Sequence, residues 1–358
     1  MALPVASHGV HMNGGEGITS YARNSTPQRR AQQRLLPLLE AAVADMWPDD
    51  SAAMPQSIGV ADLGCSAGPN TLFLVSAAIT AVRRRCGFIG IPCSEIRVYL
   101  NDLPDNDFNT VFRQLPEFLR HSDDAGGNVF VFGAPGSFHG RLFPAESLHL
   151  AISSFSLHWL SQVPRELVNG ELVNRGNIST GRTSSPAVND AYARQFRGDL
   201  TLFLSSRGKE LIAGGWLLVS VKGRSARDMT SERCVINNHS THVLNTMAAR
   251  GLVDPARLDS YNIPIYDPCT EEVHEAVDAE GSFEVMSMDS YETEASDPAG
   301  FARAMRAVHE PMLARHFGDD GIDMDEFTRM AEEHLDGLSK EGRYKGIFVH
   351  VVSLRRRN

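Results

Sequence analysis

The sequence predicts an α/β protein in which helices cover both faces of a mostly parallel sheet. Short apolar segments typical of buried strands alternate with helical patterns along the chain, and the first of them leads directly into a turn that contains glycine. Hydrophobic residues make up 42% and charged residues 22% of the chain, which is typical of a folded globular protein. A length of 358 residues allows either one large unit or a core with an added subdomain.

The predicted elements follow in order after a polar, glycine-bearing segment at 1–28, which is interpreted as a flexible flap. Leu35, Leu39, Val43 and Met46 recur at helical spacing, and Pro48 ends this helix. Another helix begins after Pro69. Apolar runs predict strands at 58–63, 96–100, 128–132, 148–154, 216–221 and 346–354.

Two regions interrupt this alternation. Residues 164–190 are rich in Asn, Gly, Ser and Thr, which predicts a long surface loop. Residues 225–340 carry helical patterns at 310–317 and 324–338 between polar stretches. We interpret them as a mainly helical cap inserted before the final strand.

The turn after the first strand has the spacing Asp-Leu-Gly-x-x-x-Gly, from Asp62 to Gly68. Glycine is needed there because a side chain would keep backbone amides away from a ligand at the carboxyl end of the strand. The spacing differs from the Gly-x-Gly-x-x-Gly of dinucleotide-binding enzymes. It therefore favours a ligand without a pyrophosphate, such as S-adenosylmethionine (SAM), over the alternative of an ordinary strand-to-helix turn.

Charge and cysteine usage exclude several classes of protein. A net charge of −10 argues against nucleic-acid binding, because phosphate contacts need a basic face. The five cysteines are dispersed with no CxxC pair, which predicts reduced thiols and no thiolate zinc site. No apolar run reaches the roughly 18 residues of a membrane span, and the N-terminus lacks a secretory pattern. We therefore expect a cytoplasmic protein with no nucleic-acid or membrane partner.

Polar and aromatic residues follow the predicted strands, where ligands bind in open α/β sheets. Asp102 is suited either to both hydroxyls of a ribose or to the N-cap of a helix. Phe138 could stack on an adenine or belong to the core. Trp159 carries a donor-only indole, for which a ligand carboxylate is one partner and burial in the core is the alternative. The Gly-x-Ser-x-Gly, HExxH and P-loop motifs are absent, which argues against a hydrolase or a kinase.

These residues together resemble the plant SABATH family of SAM-dependent carboxyl methyltransferases, over nearly the whole chain and in the same order. Family members esterify salicylic, benzoic, jasmonic and indole-acetic acids, and one branch N-methylates xanthines. The matching motifs are HMNGG at 11–15, SYARNS at 20–25 with Gln28, ADLGCSAGPN at 61–70, LNDLP at 100–104, PGSFHGRLFP at 135–144, SLHWLSQVP at 156–164 and YNIP at 261–264.

The resemblance implies a Rossmann-like SAM-dependent methyltransferase core at 29–224 and 341–358, a flap at 1–28 and a cap at 225–340 that forms the acceptor pocket. It implies methyl transfer to the carboxylate of a small plant acid, with Gln28 and Trp159 donating hydrogen bonds to that carboxylate. Neutral donors orient an ionised acid without quenching its nucleophilicity. The residues implied to hold SAM are Tyr21, Ser25, Asp62, Gly64, Asn70, Asp102, Leu103, Ser137 and Phe138.

Departures from the family pattern bear on the acceptor. Asn13 stands where salicylate-type members often have lysine, and Phe155 stands where tyrosine is frequent. Two asparagines replace bulky cap residues, which argues against a tight benzenoid slot and predicts a wider and more polar pocket for a jasmonate-like, indole-acetate-like or other substituted acid. The residues expected to line this pocket are Gln28, His158, Trp159, Asn237, Asn238, Met305, Ile347 and Phe348.

The resemblance also implies a magnesium site of oxygen ligands and a homodimer. The matching positions are Asn174, Asp259, Tyr261 and Asn262, and we expect a structural ion there or none. Three other functions stay open from the sequence: N-methylation of a purine-like acceptor, binding of a small acid without catalysis, and a dehydrogenase activity.

Overall fold

The computed structural model describes residues 10–51, 54–122, 128–231, 234, 238–318 and 321–358. These residues contain a seven-stranded sheet with the order β3-β2-β1-β4-β5-β7-β6. The strands are β1 (Ser57–Leu63), β2 (Glu95–Asp102), β3 (Val129–Pro135), β4 (Leu148–Ser154), β5 (Leu211–Lys222), β6 (Phe283–Glu292) and β7 (Phe348–Arg356). Strands β1 to β5 run parallel, and β7 pairs antiparallel with both β5 and β6.

The helices lie on both faces of the sheet and at one end of it. They are α1 (Tyr21–Asn24), α2 (Thr26–Gln33), α3 (Leu35–Met46), α4 (Pro69–Ile89), α5 (Phe108–Ser122), α6 (Arg165–Val168), α7 (Pro186–Glu210), α8 (His239–Ala249), α9 (Pro255–Asp259), α10 (Thr270–Glu280), α11 (Pro298–Phe317) and α12 (Met324–Lys340). None of the helices in these described ranges is long and apolar enough to cross a membrane.

The predicted α/β architecture and all six predicted strands are confirmed, with two differences in detail. Strand β5 begins at Leu211, earlier than the predicted strand at 216–221, so Gly214 and Gly215 lie inside it, beside an irregularity in the pairing with β4. Strand β6 was not predicted, because only one end of its sequence is apolar and most of its residues stay exposed or half-buried at the edge of the sheet.

The region 225–340 is therefore not one helical cap. Helices α8, α9, α11 and α12 enclose an apolar core of their own. Helix α10 packs instead on the core between α7 and the sheet, and β6 extends the sheet itself. The division arises because the apolar residues of α10 pack on the sheet core and β6 joins the sheet through backbone pairing with β7, whereas the other four helices pack on one another.

Residues 10–28, the part of the predicted flap that the structure describes, form an ordered segment rather than a flexible flap, and residues 1–9 lie outside the described residues. Residues 21–24 and 26–33 form helices, and the chain before them is fixed at both sides of the site. The Asn13 amide donates to the Ala307 carbonyl oxygen of α11 at 2.9 Å, and the Gly15 amide donates to Asp107 Oδ2 at 2.8 Å. This segment therefore ties the cap to the sheet core.

A buried ion pair holds the loop that follows β3. Arg207 Nε lies 2.7 Å from Glu210 Oε2, and neither side chain is exposed to solvent. Arg207 also donates to the carbonyl oxygens of Phe138 and Gly140, while Glu210 Oε1 accepts from the Leu142 amide. The pair satisfies backbone groups that would otherwise be buried without partners.

We predict that Glu210→Gln lowers the free energy of unfolding by about 3 kcal/mol, because it leaves the Arg207 guanidinium buried without its counter-charge. Urea unfolding followed by fluorescence measures the change. The matched control is Glu40→Gln, which breaks an exposed ion pair with Arg84 and should leave the unfolding free energy unaltered. Equal effects of the two substitutions would contradict the structural role of the buried pair.

Candidate active site

Two cavities meet at the carboxyl ends of the parallel strands. The first, the strand-end cleft, encloses about 1140 Å³ that is partly open to solvent, and it lies beside β1, β2 and β4. The second, the cap cavity, encloses about 800 Å³ and lies between the sheet and the cap helices. Five of the described residues line both cavities and form their shared wall: Gln28, Phe155, His158, Trp159 and Val308.

The sheet order explains the position of the strand-end cleft. Strand β1 pairs with β2 on one side and with β4 on the other, so the connections from β1 and β4 leave in opposite directions. Such a switch point opens a crevice at the carboxyl ends of the strands.

The turn after β1 needs glycine at two positions. Gly64 has φ of +78°, and a Cβ there would lie 2.4 Å from Ser156 Cβ. Gly68 has φ of +127°, and a Cβ there would lie 2.8 Å from Ala22 Cα. Between them Ser66 has φ of +57°, a left-handed conformation that is uncommon outside glycine. The turn therefore brings its backbone against both the cleft and the N-terminal segment.

Asp102 at the end of β2 is not a helix N-cap, because Asp107 accepts the Thr110 amide at the start of α5. Each Asp102 oxygen instead accepts one backbone amide, from Ser66 at 2.6 Å and from Leu103 at 2.7 Å. Each oxygen keeps a second lone pair for a ligand hydroxyl.

Two carboxyl groups of the cleft have raised pKa values. Burial, with a smaller contribution from repulsion by Asp102, raises the pKa of Asp62 to about 8. Burial also raises the pKa of Asp102 to about 6, although its two amide donors oppose the shift. A cationic ligand in the cleft would favour the ionised form of both groups.

The cleft contains eight of the nine residues expected to hold SAM: Tyr21, Asp62, Gly64, Asn70, Asp102, Leu103, Ser137 and Phe138. The ninth, Ser25, does not line it. It contacts the cleft through Asn70, whose Nδ2 donates to the Ser25 carbonyl oxygen and hydroxyl at 2.9 and 2.8 Å.

The shared wall carries the residues expected to orient an acceptor. The side-chain oxygen of Gln28 and Nδ1 of His158 are buried with no hydrogen-bond partner among the described residues. Burial, with a smaller contribution from Lys222, lowers the pKa of His158 to about 3, so its ring is neutral at pH 7. Phe155, at the end of β4, has φ of +55°, and this turn directs Trp159 back over the cleft.

The cap cavity contains the remaining predicted acceptor residues that the structure describes, namely Asn238, Met305 and Ile347. Asn237 lies outside the described residues. Phe348 is not among the described residues that line the cavity. Ser240, Thr241 and His309 add hydroxyl and imidazole groups to the lining of this cavity.

Lys222 and His309 are functional candidates that the sequence alone did not single out. Lys222 is the last residue of β5 and lines the cap cavity. Its position directly after the predicted strand at 216–221 was a usable signal, since ligands bind at carboxyl strand ends. His309 gave no such signal, because it lies within a long cap helix whose orientation the pattern does not specify.

The four residues expected to bind magnesium come from two segments that the structure joins. The Gly176 amide donates to Asp259 Oδ1 at 3.3 Å, which links the loop after Asn174 to the end of α9. Asn174 Oδ1 accepts from the Ser184 hydroxyl at 2.8 Å. Asn262 Oδ1 and the Tyr261 hydroxyl are buried without partners among the described residues. The Asp259 carboxylate and the amide oxygens of Asn174 and Asn262 are of the type that Mg²⁺ takes, whereas the Tyr261 hydroxyl, whose pKa burial raises, stays neutral and is a weaker ligand.

Comparison with known proteins identifies what the chain resembles. A family model described as SAM dependent carboxyl methyltransferase matches residues 7–357. Salicylate carboxymethyltransferase of Clarkia breweri is 39% identical over 361 residues, which span 96% of this chain and 96% of that protein. The 3,7-dimethylxanthine N-methyltransferase of Camellia sinensis var. assamica is 38% identical over 341 residues, which span 91% of this chain and 92% of that protein.

Among solved structures, a loganic acid methyltransferase with SAH superposes with a TM-score of 0.86 at 25% identity, covering 97% of this chain and 99% of that one. The predicted methyltransferase core and SAM as cofactor are thereby confirmed. The relatives named for O- and N-methylation are almost equally similar. These two relatives therefore favour neither oxygen nor nitrogen as the acceptor atom.

We predict that SAM binding releases a proton near pH 6.5. Asp62 is mostly protonated in the free protein at this pH, because its pKa is raised to about 8, and the positive charges of SAM favour its carboxylate. SAM affinity should therefore rise with pH between about 6 and 8. Calorimetry in buffers of different ionisation enthalpy measures the released proton.

Asp62→Asn should remove most of that proton release and leave only the smaller contribution of Asp102, whose pKa is raised to about 6. Asp107→Asn is the matched control, because Asp107 has a lowered pKa and lies outside the cleft lining. Undiminished release in Asp62→Asn would show that Asp62 is not the group that titrates on binding.

Proposed function

This chain belongs to the SAM-dependent carboxyl methyltransferase family, and we propose that it transfers the methyl group of SAM to the carboxylate of a small plant acid. The product is the methyl ester. The observation that carries the proposal is the shared wall, where the neutral side chains of Gln28 and Trp159 line both cavities. The acids that fit this proposal are jasmonate-, benzoate- or salicylate-, and indole-acetate-like.

The strand-end cleft is proposed to hold the cofactor. Asp102 would accept hydrogen bonds from both ribose hydroxyls, since each of its oxygens has a free lone pair. Phe138 would stack on the adenine, and the Arg207–Glu210 pair beneath its loop would hold that ring in place. SAM supplies the electrophilic methyl group, and the residues of the chain bind and orient it.

A carboxylic acid is already ionised at neutral pH, so its methylation needs no general base. A carboxylate oxygen forms the new bond to the methyl carbon while the carbon–sulfur bond breaks and its electron pair stays on sulfur. Gln28 Nε2 and Trp159 Nε1 would orient the carboxylate in line with that bond. Anion and sulfonium neutralise each other during transfer, which a site shielded from water favours.

In the part of the chain that the structure describes, the cap cavity offers no strong general base to an acceptor that must lose a proton from nitrogen. No Asp or Glu is among the described residues that line the cap cavity. Burial lowers the pKa of His158 to about 3 and that of His309 to about 4, so both are weak bases. These values support a carboxylate acceptor over a purine-like one.

Three further features extend the proposal. Mg²⁺ held by Asn174, Asp259, Tyr261 and Asn262 would fasten the loop after Asn174 to α9 as a structural ion. A homodimer is supported by the outer strand β3, on which Phe130 and Phe132 are 43% and 45% exposed. A cytoplasmic location is supported by the free, dispersed cysteines.

The proposal is tested with trideuteromethyl-labelled SAM and a panel of jasmonic, salicylic, benzoic, anthranilic and indole-acetic acids together with xanthines. We expect a labelled methyl ester from at least one acid, identified by mass spectrometry and by its release in mild alkali. An alkali-stable N-methyl product would establish the purine-like alternative. Binding of SAM and acid without any product would instead favour a non-catalytic protein.

We predict that Trp159→Phe lowers kcat/KM for the preferred acid between about 10-fold and 100-fold, because a hydrogen bond to a charged group is lost. The dissociation constant of SAM should stay unchanged. Trp216→Phe is the matched control: its indole donates to Asp45 Oδ2 at 3.2 Å, away from both cavities. Retained activity in Trp159→Phe would overturn the role of the indole.

A further inference from the structure

Lys222 places a fixed positive charge in the cap cavity. It is the one lysine or arginine among the described residues that line this cavity. The two histidines of the lining, His158 and His309, have pKa values lowered to about 3 and about 4 by burial, so both are neutral at pH 7. The cavity therefore offers one cation to whatever occupies it.

The ammonium of Lys222 is bound by Asp267 through one of its three hydrogen-bond donors. Its Nζ lies 2.8 Å from Asp267 Oδ2, and the side chains are only 19% and 5% exposed. An ammonium has three donors, of which this contact uses one. Because Lys222 lines the cap cavity, its two remaining donors are available to a ligand there.

The position of this ammonium is fixed relative to the shared wall. Asp267 directly follows a segment whose backbone pairs with the segment of Trp159. The Leu160 amide donates to the Pro264 carbonyl oxygen at 2.7 Å, and the Tyr266 amide donates to the His158 carbonyl oxygen at 2.9 Å. Asp267 and Trp159 are thus parts of one hydrogen-bonded unit.

Lys222 and the proposed carboxylate donors occupy different parts of the site. Gln28 and Trp159 line both cavities, whereas Lys222 lines the cap cavity alone. A reacting carboxylate must lie at the shared wall to reach the methyl group. With the reacting carboxylate at the shared wall, Lys222 would contact the part of the substrate that extends into the cap cavity.

We propose that Lys222 binds a second oxygen acceptor on the substrate, remote from the reacting carboxylate, so that the preferred substrate is an oxo acid or a dicarboxylic acid. This rests on the proposed function. An acid without that oxygen would leave two donors of a largely buried ammonium without a partner on the substrate, which costs more than an equivalent apolar mismatch. Lys222 is in this account a specificity-determining residue.

Two matched pairs of acids test the inference. Cyclopentylacetic acid is compared with 3-oxocyclopentylacetic acid, and benzoic acid with isophthalic acid. We expect the wild-type protein to favour the second member of at least one pair by about 10-fold or more in kcat/KM. Lys222→Met should remove this preference, chiefly by raising KM for the oxygenated acid, because the contact is made equally before and during transfer.

Three variants separate recognition from folding. Lys222→Met with Asp267→Asn removes both charges of the pair and should lose the preference while retaining SAM affinity. Asp267→Asn alone keeps the ammonium and should retain the preference. Lys209→Met, at an exposed site at the end of α7, is the control that should behave as wild type.

An equal loss for both members of each pair, or an unaltered preference in the two variants without Lys222, would overturn the inference. Calorimetry of the four acids in the presence of SAH gives a readout independent of turnover. Failure of the wild-type protein to methylate any acid, in the panel or in these pairs, would overturn the proposed function. Methylation of acids without a preference would overturn only the role of Lys222.

Discussion

The site depends on one backbone pairing between the sheet core and the segment that leads out of the cap. The residues after β4 turn back at Phe155 and pair with residues 264–266 through two hydrogen bonds, which form an antiparallel bridge between Trp159 and Ile265. This pairing forms the boundary between the strand-end cleft and the cap cavity. It places Trp159 where a bound acid and a bound cofactor would meet. It also brings Asp267 within hydrogen-bond distance of Lys222.

Burial determines the electrostatics on the two sides of that boundary. On the cofactor side it raises the pKa values of Asp62 and Asp102, and a bound ligand that brings positive charge would favour the ionised form of both carboxyl groups. On the acceptor side it lowers the pKa values of His158 and His309, so the imidazoles stay neutral. The difference matches a reaction between a sulfonium cation and an anionic oxygen.

The sequence predicted the sheet core and the turn after β1 because those features depend on local patterns, namely apolar strands and glycines at fixed spacing. It missed β6, whose polar side chains fit only an edge position that the pairing with β7 defines. The family resemblance named the residues of the cleft and of the shared wall. Lys222 directly follows a predicted strand, which was a usable signal, but the cap residues that surround it in the cavity lie far away in the chain and no local pattern brings them together with it.

The most direct test of this account is a crystal structure of the protein with SAH and the acid that it methylates best. We expect one carboxylate group within about 3 Å of both Gln28 Nε2 and Trp159 Nε1, with an oxygen directed at the sulfur. The rest of the acid should then lie in the cap cavity. An acid bound in the opposite orientation, with its only carboxylate against Lys222 and no oxygen near the sulfur, would contradict the proposed roles of Gln28 and Trp159.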